Sequence, residues 1–336
     1  MQNIDNQRFD KKSIKIACTG GAGFVGSELI QYLNQQGYTN IDIFEKLDGL
    51  HNKWQNIAGL QFNAIYDYQT LLRDDVYSQY QWVILMGGNS STSTKKEEFQ
   101  QTLFDNFTYP TELMGKIARN YNPEFDSSRR QKVIFASSAA TYGLSNNFKE
   151  RITDIKPSNF YGLTKLMVDR YMTNELFGKY SSKFYSFRFF NVFGKNEGHK
   201  AEVNMTSPVS RFLAQKHPFI LYNSANPKIQ TDEMARDFIA VQDLCKVLLW
   251  TLENNIPEDI YNLGSGKATT WKNLLQIVCE LKGYKFDEVV QYQDMPDSIK
   301  NHYQYVTKSD ISKLRAAGYL AEMTDIKDAI KELIKE

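Results

Sequence analysis

The segment SIKIACTGGAGFVGSELIQYL, near the N-terminus, constrains the fold more than any other stretch of this chain. Ser13 to Cys18 reads as a buried strand, with Ile14, Ile16 and Cys18 alternating with Lys15 and Ala17. Gly20, Gly23 and Gly26 follow, with two residues in each gap, and then an amphipathic helix with Leu29, Ile30 and Leu33 on one face. A strand, a glycine turn and a helix in immediate succession open a βαβ unit and imply a parallel sheet. Gly20 permits the sharp turn, Gly23 lets the backbone approach a pyrophosphate, and Gly26 lets the helix pack closely on the strand. The free N–H groups and positive dipole end of the helix would then bind the anion.

The next strand, Ile41 to Phe44, ends in Glu45 and Lys46. An acidic residue about 20 positions past such a turn accepts hydrogen bonds from an adenosine ribose and favours NAD. A neighbouring lysine would instead meet a 2′-phosphate and favour NADP. The pair leaves both cofactors open.

Further along, strands and helices alternate: QFNAIYD, WVILMGG, the helix FTYPTELMGKIARNY, the strand KVIFASS, the helix FYGLTKLMVDRYM, and FYSFRFFNVFG. This order predicts an α/β fold with a Rossmann-type doubly wound parallel sheet. Ligands of such sheets bind at the carboxyl ends of the strands. That rule brings Gly20 to Gly26, Glu45, Gly87, Gly88, Asn89, Ser137, Ser138 and Asn191 to one edge. Past Asn191 the pattern is irregular. We expect a tail over residues 1–13, a dinucleotide-binding domain over 14–193 plus about 237–263, and a smaller, interleaved substrate lobe from 194–236 and 264–336.

Tyr161 and Lys165 lie four positions apart and so share one face of their helix. A free phenol has a pKa near ~10 and is a poor base at neutral pH. A nearby ammonium, and the charge of an oxidised nicotinamide, favour the phenolate. Such a phenolate can take a proton from a substrate hydroxyl as the carbon is oxidised. Ser138, at the end of its strand, can hold the same oxygen.

Composition excludes several classes. Lys plus Arg number 40 against 39 for Asp plus Glu, so nothing implies nucleic acid or an anionic membrane as partner. No apolar run approaches the ~20 residues that span a bilayer. The polar start lacks the apolar region of a signal peptide, which predicts a cytoplasmic protein. Cys18, Cys245 and Cys279 are scattered in apolar settings and suit reduced thiols, and the four histidines do not cluster at ligand spacings, so no metal site is expected.

The stretches TGGAGFVG, SSAATYG, YGLTK, FRFFNVFG, RDFIAVQD and YNLGSG, in this order, resemble the extended short-chain dehydrogenase/reductase family from about Ile14 to nearly the end of the chain. Within it, SSAATYG, FNVFGKNEGHK and HYQYVTKSDISKLRAAGY are similar to the ADP-L-glycero-D-manno-heptose 6-epimerases. The resemblance implies one tightly held NADP, or alternatively NAD, per subunit. It implies transient oxidation at C6″ of an ADP-heptose, a nucleotide-diphosphate sugar of lipopolysaccharide core synthesis, in a homo-oligomer. Matched to this pattern, Tyr161 and Lys200 serve the two faces of the carbon, with Ser138 and Lys165 in support. Asn191, Arg211, Arg236 and Tyr303 would contact substrate, Arg236 by its planar fork on a diphosphate. Phe24, Val25, Asp67, Met86, Asn106 and Val192 would join the cofactor set.

Three alternatives remain at this level. A 4,6-dehydratase carries an Asp-Glu pair after the strand-end hydroxyl, where this chain has Ala139 and Ala140. A UDP-hexose 4-epimerase lacks a second lysine base at the Lys200 position. A non-catalytic cofactor-binding protein would have a broken triad, whereas Ser138, Tyr161 and Lys165 are all present.

Overall fold

Short apolar runs build the centre of the molecule. The computed structural model of the chain describes residues 10–46, 52–73, 75–120, 130–203, 205–300 and 303–335. Strands β1 (Ile16–Thr19), β2 (Ile41–Phe44), β3 (Ala64–Tyr66), β4 (Trp82–Leu85), β5 (Lys132–Ser138) and β6 (Lys183–Phe189) belong to one parallel sheet. Every residue of β1, β2 and β4 is buried, as expected for strands covered on both faces. Strands β7 (Asn191–Phe193), β8 (Phe219–Asn223), β9 (Ala235–Arg236) and β10 (Phe238–Ala240) lie outside that sheet. Strand β11 (Ile260–Leu263) returns to it as the seventh strand, and the order is β11-β6-β5-β4-β1-β2-β3.

The order reverses between β1 and β4, whose register pairs Ile16 with Trp82 on one side and Ile16 with Ile41 on the other. Ligands of doubly wound sheets bind at such a switch point. Helices α1 (Phe24–Gln35), α2 (Phe99–Leu103), α3 (Tyr109–Arg119), α4 (Phe160–Tyr171), α5 (Pro208–Ala214) and α6 (Val241–Glu253) follow among the strands. Leu29, Ile30 and Leu33 of α1 share a core with Leu244 and Leu248 of α6 on one face. Leu113 and Ile117 of α3 share another with Val168 and Met172 on the opposite face. Helix α7 (Trp271–Lys282) packs with strands β12 (Thr269–Thr270) and β13 (Val290–Asp294), which pair with β9 and β8.

The structure differs from expectation in detail. The first strand begins at Ile16 because Lys11–Ser13 close a 3-10 turn, capped by the Asp10 carboxylate accepting from the Lys12 N–H. So residues 10–13 are structured, while residues 1–9 of the expected tail lie outside the described residues. The run FYSFRFFNVFG is not one strand. It divides at Phe190, whose N–H donates to Leu263 O, and β7 then pairs with β10 away from the main sheet. The break follows from packing: the Phe190 ring joins Tyr142 and Phe148 in a separate aromatic cluster. Helix α3 is preceded by a π turn, Phe104–Thr108. Among the described residues no helix is long and apolar enough to cross a membrane.

Behind α4 lies a fully buried ion pair. Arg188 Nε donates to Asp169 Oδ2 at 2.8 Å, and both side chains are 0% exposed. Ser186 Oγ donates to the other oxygen of Asp169 at 2.6 Å, and the guanidinium lies 4.7 Å from the Tyr142 ring centroid. Breaking such a pair leaves an uncompensated buried charge. We expect Arg188→Met to cost about 3–5 kcal/mol of stability. Urea denaturation reads this as a lower midpoint, and a midpoint equal to the parent's would show that the pair is dispensable.

Candidate active site

The carboxyl ends of the strands open into a cleft of about 560 Å³. Its wall takes Gly20, Gly23, Phe24, Val25 and Gly26 from the first turn and Glu45 from the end of β2. Met86, Gly87, Gly88 and Asn89 come from the end of β4, Ser138 from β5, Tyr161 and Lys165 from α4, Asn191 and Val192 from β7, and Lys200 from the loop beyond. Residues from most of the chain length therefore meet in one place.

The glycine turn has the form a dinucleotide needs. Gly20 adopts φ +68°, and a Cβ there would lie 2.6 Å from Gly87 Cα. A Cβ on Gly26 would lie 2.2 Å from Gly20 O. No side chain larger than hydrogen fits at either point, so α1 starts hard against the end of β1. The first N–H groups of α1 have no partner within the helix and point toward the approaching anion. These residues fit the pyrophosphate of a nicotinamide dinucleotide.

The adenosine end differs from expectation. Glu45 is buried, and its carboxylate accepts from the Ala22 N–H at 3.2 Å and the Lys46 N–H at 3.0 Å. Lys53 Nζ, a cleft residue that the sequence did not single out, lies 3.6 Å from Glu45. The Lys46 side chain is exposed. Asp67 caps a 3-10 turn by accepting from the Gln69 N–H at 3.0 Å. Asn106 stands behind the cleft wall. It is fully buried, accepts from the Asn89 N–H at 2.8 Å, donates to Asn89 O at 2.9 Å and reaches Thr164 Oγ1 at 3.2 Å. It thereby holds the Gly88–Asn89 turn against the helix that carries Tyr161.

Asn159 caps that helix, its side chain accepting from the Gly162 N–H at 2.8 Å. Lys165 lies over the Phe135 ring at 4.6 Å and over the Tyr161 ring at 5.9 Å. Burial pulls the Lys165 ammonium down to about 8, against the attraction of Asp169. Burial also pushes the Tyr161 phenol up, and a hydrogen bond with Ser138 works against that rise. The expected drop in the phenol pKa named the Lys165 ammonium together with an oxidised nicotinamide, and in the protein without cofactor burial is the larger cause and holds the phenol up. Desolvation penalises both charged forms. Lowering the phenol requires positive charge added to the cleft.

Lys200 lies on a 3-10 turn, Gly198–Val203, with Nζ 5.0 Å from the Phe24 ring centroid. Burial lowers its ammonium pKa, and Glu197 opposes the shift. Glu197, also unmarked by sequence, accepts from the Gly194 N–H at 3.2 Å, Ser207 Oγ at 2.8 Å and Ser210 Oγ at 2.7 Å. It fastens the Lys200 loop to the start of α5.

A second cavity of about 390 Å³ meets the cleft at Pro208. Arg211, Tyr222, Trp271 and Tyr303 line it. Arg236 is set between rings, 4.9 Å from the Tyr303 centroid and 5.4 Å from that of Trp271. Its NH1 donates to Ala235 O at 2.9 Å and Tyr305 O at 3.2 Å. Thus Arg211 and Tyr303 share one cavity, Tyr161, Lys165 and Lys200 share the other, and Arg236 lines neither, packed instead against Trp271 and Tyr303. An aromatic at the start of a helix far downstream of the glycine turn carries no sequence signal for this role.

The profile of the NAD dependent epimerase/dehydratase family matches residues 16–264. The chain is 30% identical over 329 residues to the ADP-L-glycero-D-manno-heptose-6-epimerase of Nitratidesulfovibrio vulgaris (strain DP4), covering 95% of this chain and 96% of that one. Its fold is similar to the crystal structure of the Helicobacter pylori ADP-L-glycero-D-manno-heptose-6-epimerase, with a TM-score of 0.77 at 20% identity over 100% of this chain and 98% of the other. It is also similar to UDP-N-acetylglucosamine 4-epimerase from Methanobrevibacter ruminantium M1 in complex with UDP-N-acetylmuramic acid, with a TM-score of 0.76 at 20% identity over 96% and 98%.

The glycine turn generates a direct test. Gly26→Ala places a methyl where only the Gly20 carbonyl fits, so the first turn of α1 must move away. We expect dinucleotide affinity to fall by at least about tenfold, equivalent to ~1.4 kcal/mol. Titration followed by tryptophan fluorescence reads this directly, and parental affinity in Gly26→Ala would remove the turn from the binding site.

Proposed function

This chain belongs to the NAD dependent epimerase/dehydratase family, and from that premise we propose that it inverts one carbon of a nucleotide-diphosphate sugar. We take the substrate to be ADP-D-glycero-D-manno-heptose, inverted at C6″ to the L-glycero form. The observation that carries this reading is the meeting of two proton-handling side chains, Tyr161 and Lys200, in one cleft from separate elements. The 30% identity with the Nitratidesulfovibrio vulgaris heptose epimerase supports the sugar. Ala139 and Ala140 occupy the positions where a dehydratase needs acidic groups.

The bound nicotinamide would supply reversible two-electron oxidation of the alcohol carbon. The protein supplies the proton chemistry. Tyr161 takes the hydroxyl proton on one face, with Ser138 holding the same oxygen and Lys165 supporting the charge that develops. Inversion turns the carbonyl over, so its oxygen ends beside a different group. Lys200 meets it there, and the lowered pKa of its half-buried ammonium makes a neutral amine accessible. We read 194–236 and 264–336 as the lobe that receives the nucleotide sugar, with Arg211 and Tyr303 lining the second cavity, Arg236 packed against Tyr303 and Trp271, and Asn191 in the cleft.

Each base can be separated by following reduction of the bound cofactor with each epimer alone. Tyr161→Phe is expected to lower turnover by about 10² to 10⁴, the range for loss of a general base. Lys200→Met is expected to abolish inversion while one epimer still reduces the cofactor and the other does not. Equal loss with both epimers would make Lys200 a binding residue only. A purified protein that acts on UDP-hexoses and not on the ADP-heptose would overturn the substrate while leaving the chemistry.

For the cofactor we propose NADP, on the residues at the adenosine end. The Glu45 carboxylate already accepts from the Ala22 and Lys46 N–H groups, and Lys53, 3.6 Å from it, is a cation lining the cleft beside it. A 2′-phosphate would meet Lys53, with exposed Lys46 beside it. Lys53→Ala should weaken NADP by about tenfold or more, the scale of one charge-assisted hydrogen bond, and leave NAD within about threefold. Titrating the emptied protein with each dinucleotide decides the point, and equal effects on both would remove the 2′-phosphate assignment.

A further inference from the structure

We propose that Asn56 is a positioning residue for the Lys200 loop, tying that loop to the glycine turn; the proposal rests on the reading of Lys200 as a proton-handling group. Asn56 closes the 3-10 turn Lys53–Asn56 that also carries Lys53. Its side-chain Nδ2 donates to Ala22 O at 2.9 Å. The same nitrogen lies 3.3 Å from Asn196 O and 3.2 Å from His199 Nδ1. An amide nitrogen carries two protons, so these acceptors share them. With Asn56 donating, His199 Nδ1 accepts and its ring proton sits on Nε2.

The placement of these acceptors carries the argument. Ala22 lies inside the glycine turn, and Asn196 and His199 lie in the loop that leads into Lys200. Ala22 is held through both of its flanking peptides, its N–H donating to Glu45 and its C=O accepting from Asn56. The adenosine end of the cleft, the pyrophosphate turn and the Lys200 loop are thus joined through one side chain. The loop also contains a strained residue, since Asn196 adopts φ +59°, in the left-handed region. Such a conformation persists only where its surroundings hold it. Asn196 Nδ2 meets Ser27 Oγ at 3.1 Å, and Glu197 anchors the far side of the loop on Ser207 and Ser210. Asn56 supplies the tie on the cofactor side. Without it, Lys200 keeps its contact with Phe24 but loses the fixed backbone from which it reaches.

Two variants test this. Asn56→Ala removes the donor, and Asn56→Asp keeps the size but turns acceptor oxygens toward the Ala22 and Asn196 carbonyls. Hydrogen exchange of amides 194–200 is measured on the cofactor-free protein, dinucleotide affinity by titration, and cofactor reduction with each epimer separately. We expect exchange across 194–200 to rise by about tenfold or more in both variants, and reduction is compared at cofactor concentrations that the measured affinities show to be saturating. Reduction should slow by between about tenfold and a hundredfold with the epimer that Lys200→Met silences, and stay near parental with the other. Should Asn56→Ala fail to fold, Asn56→Asp carries the same comparison. Unchanged exchange at 194–200, or equal slowing with both epimers, overturns the positioning role. Faster exchange at 194–200 with both epimers unaffected by Lys200→Met supports the tie and overturns the reading of Lys200 instead.

Discussion

The backbone contact at Gly20 is the constraint on which the rest of the site depends. The chain leaving β1 passes so close to Gly87 and to the start of α1 that no Cβ fits at Gly20 or Gly26. This closeness sets three things together: the tilt of α1, the position of the β4 end, and the width of the gap at the sheet's switch point. It also places Phe24, the first residue of α1, under the Lys200 ammonium. One steric requirement therefore shapes both the glycine turn and the ring against which Lys200 rests.

A second theme is desolvation. Tyr161, Lys165 and Lys200 are all shifted toward their neutral forms, and in each case burial is the largest cause. Charge introduced into this cleft by ligands acts at low effective dielectric. Other buried charges are satisfied outside the cleft. Arg188 on β6 pairs with Asp169 on α4. Asp237 accepts from the N–H groups of Ser265, Gly266 and Ser309 and so ties the end of β11 to Ser309. The three cysteines, Cys18, Cys245 and Cys279, are free and buried, and burial pushes the Cys18 thiol up to about 12, which keeps it unreactive.

Much of the fold and part of the site were legible in the sequence, because they rest on local periodicity. The alternation of Ser13 to Cys18, the glycine spacing and the four-residue interval from Tyr161 to Lys165 are short-range patterns. Backbone geometry converts each into one arrangement. Parallel strands separated by helices then leave few topologies, and ligands gather at their carboxyl ends. The strand break at Phe190, the turn at residues 10–13, Lys53 at the adenosine end, Asn56 beneath the Lys200 loop and Trp271 beside Arg236 were not legible. Three of these depend on a partner far away in the chain, Phe190 on Leu263, Asn56 on His199 and Trp271 on Arg236, whereas Lys53 takes its place beside Glu45 and the first turn rests on the Asp10 cap. The direction of the Tyr161 shift belongs with these, since a spacing names neighbours but says nothing of how much water surrounds them. The sequence by itself determined the class of sheet, the glycine turn and the shared helix face of Tyr161 and Lys165. Tertiary structure alone decided which cations face the cleft, what fastens the Lys200 loop and how dry the site is, because long-range packing and solvent exclusion have no local period to read.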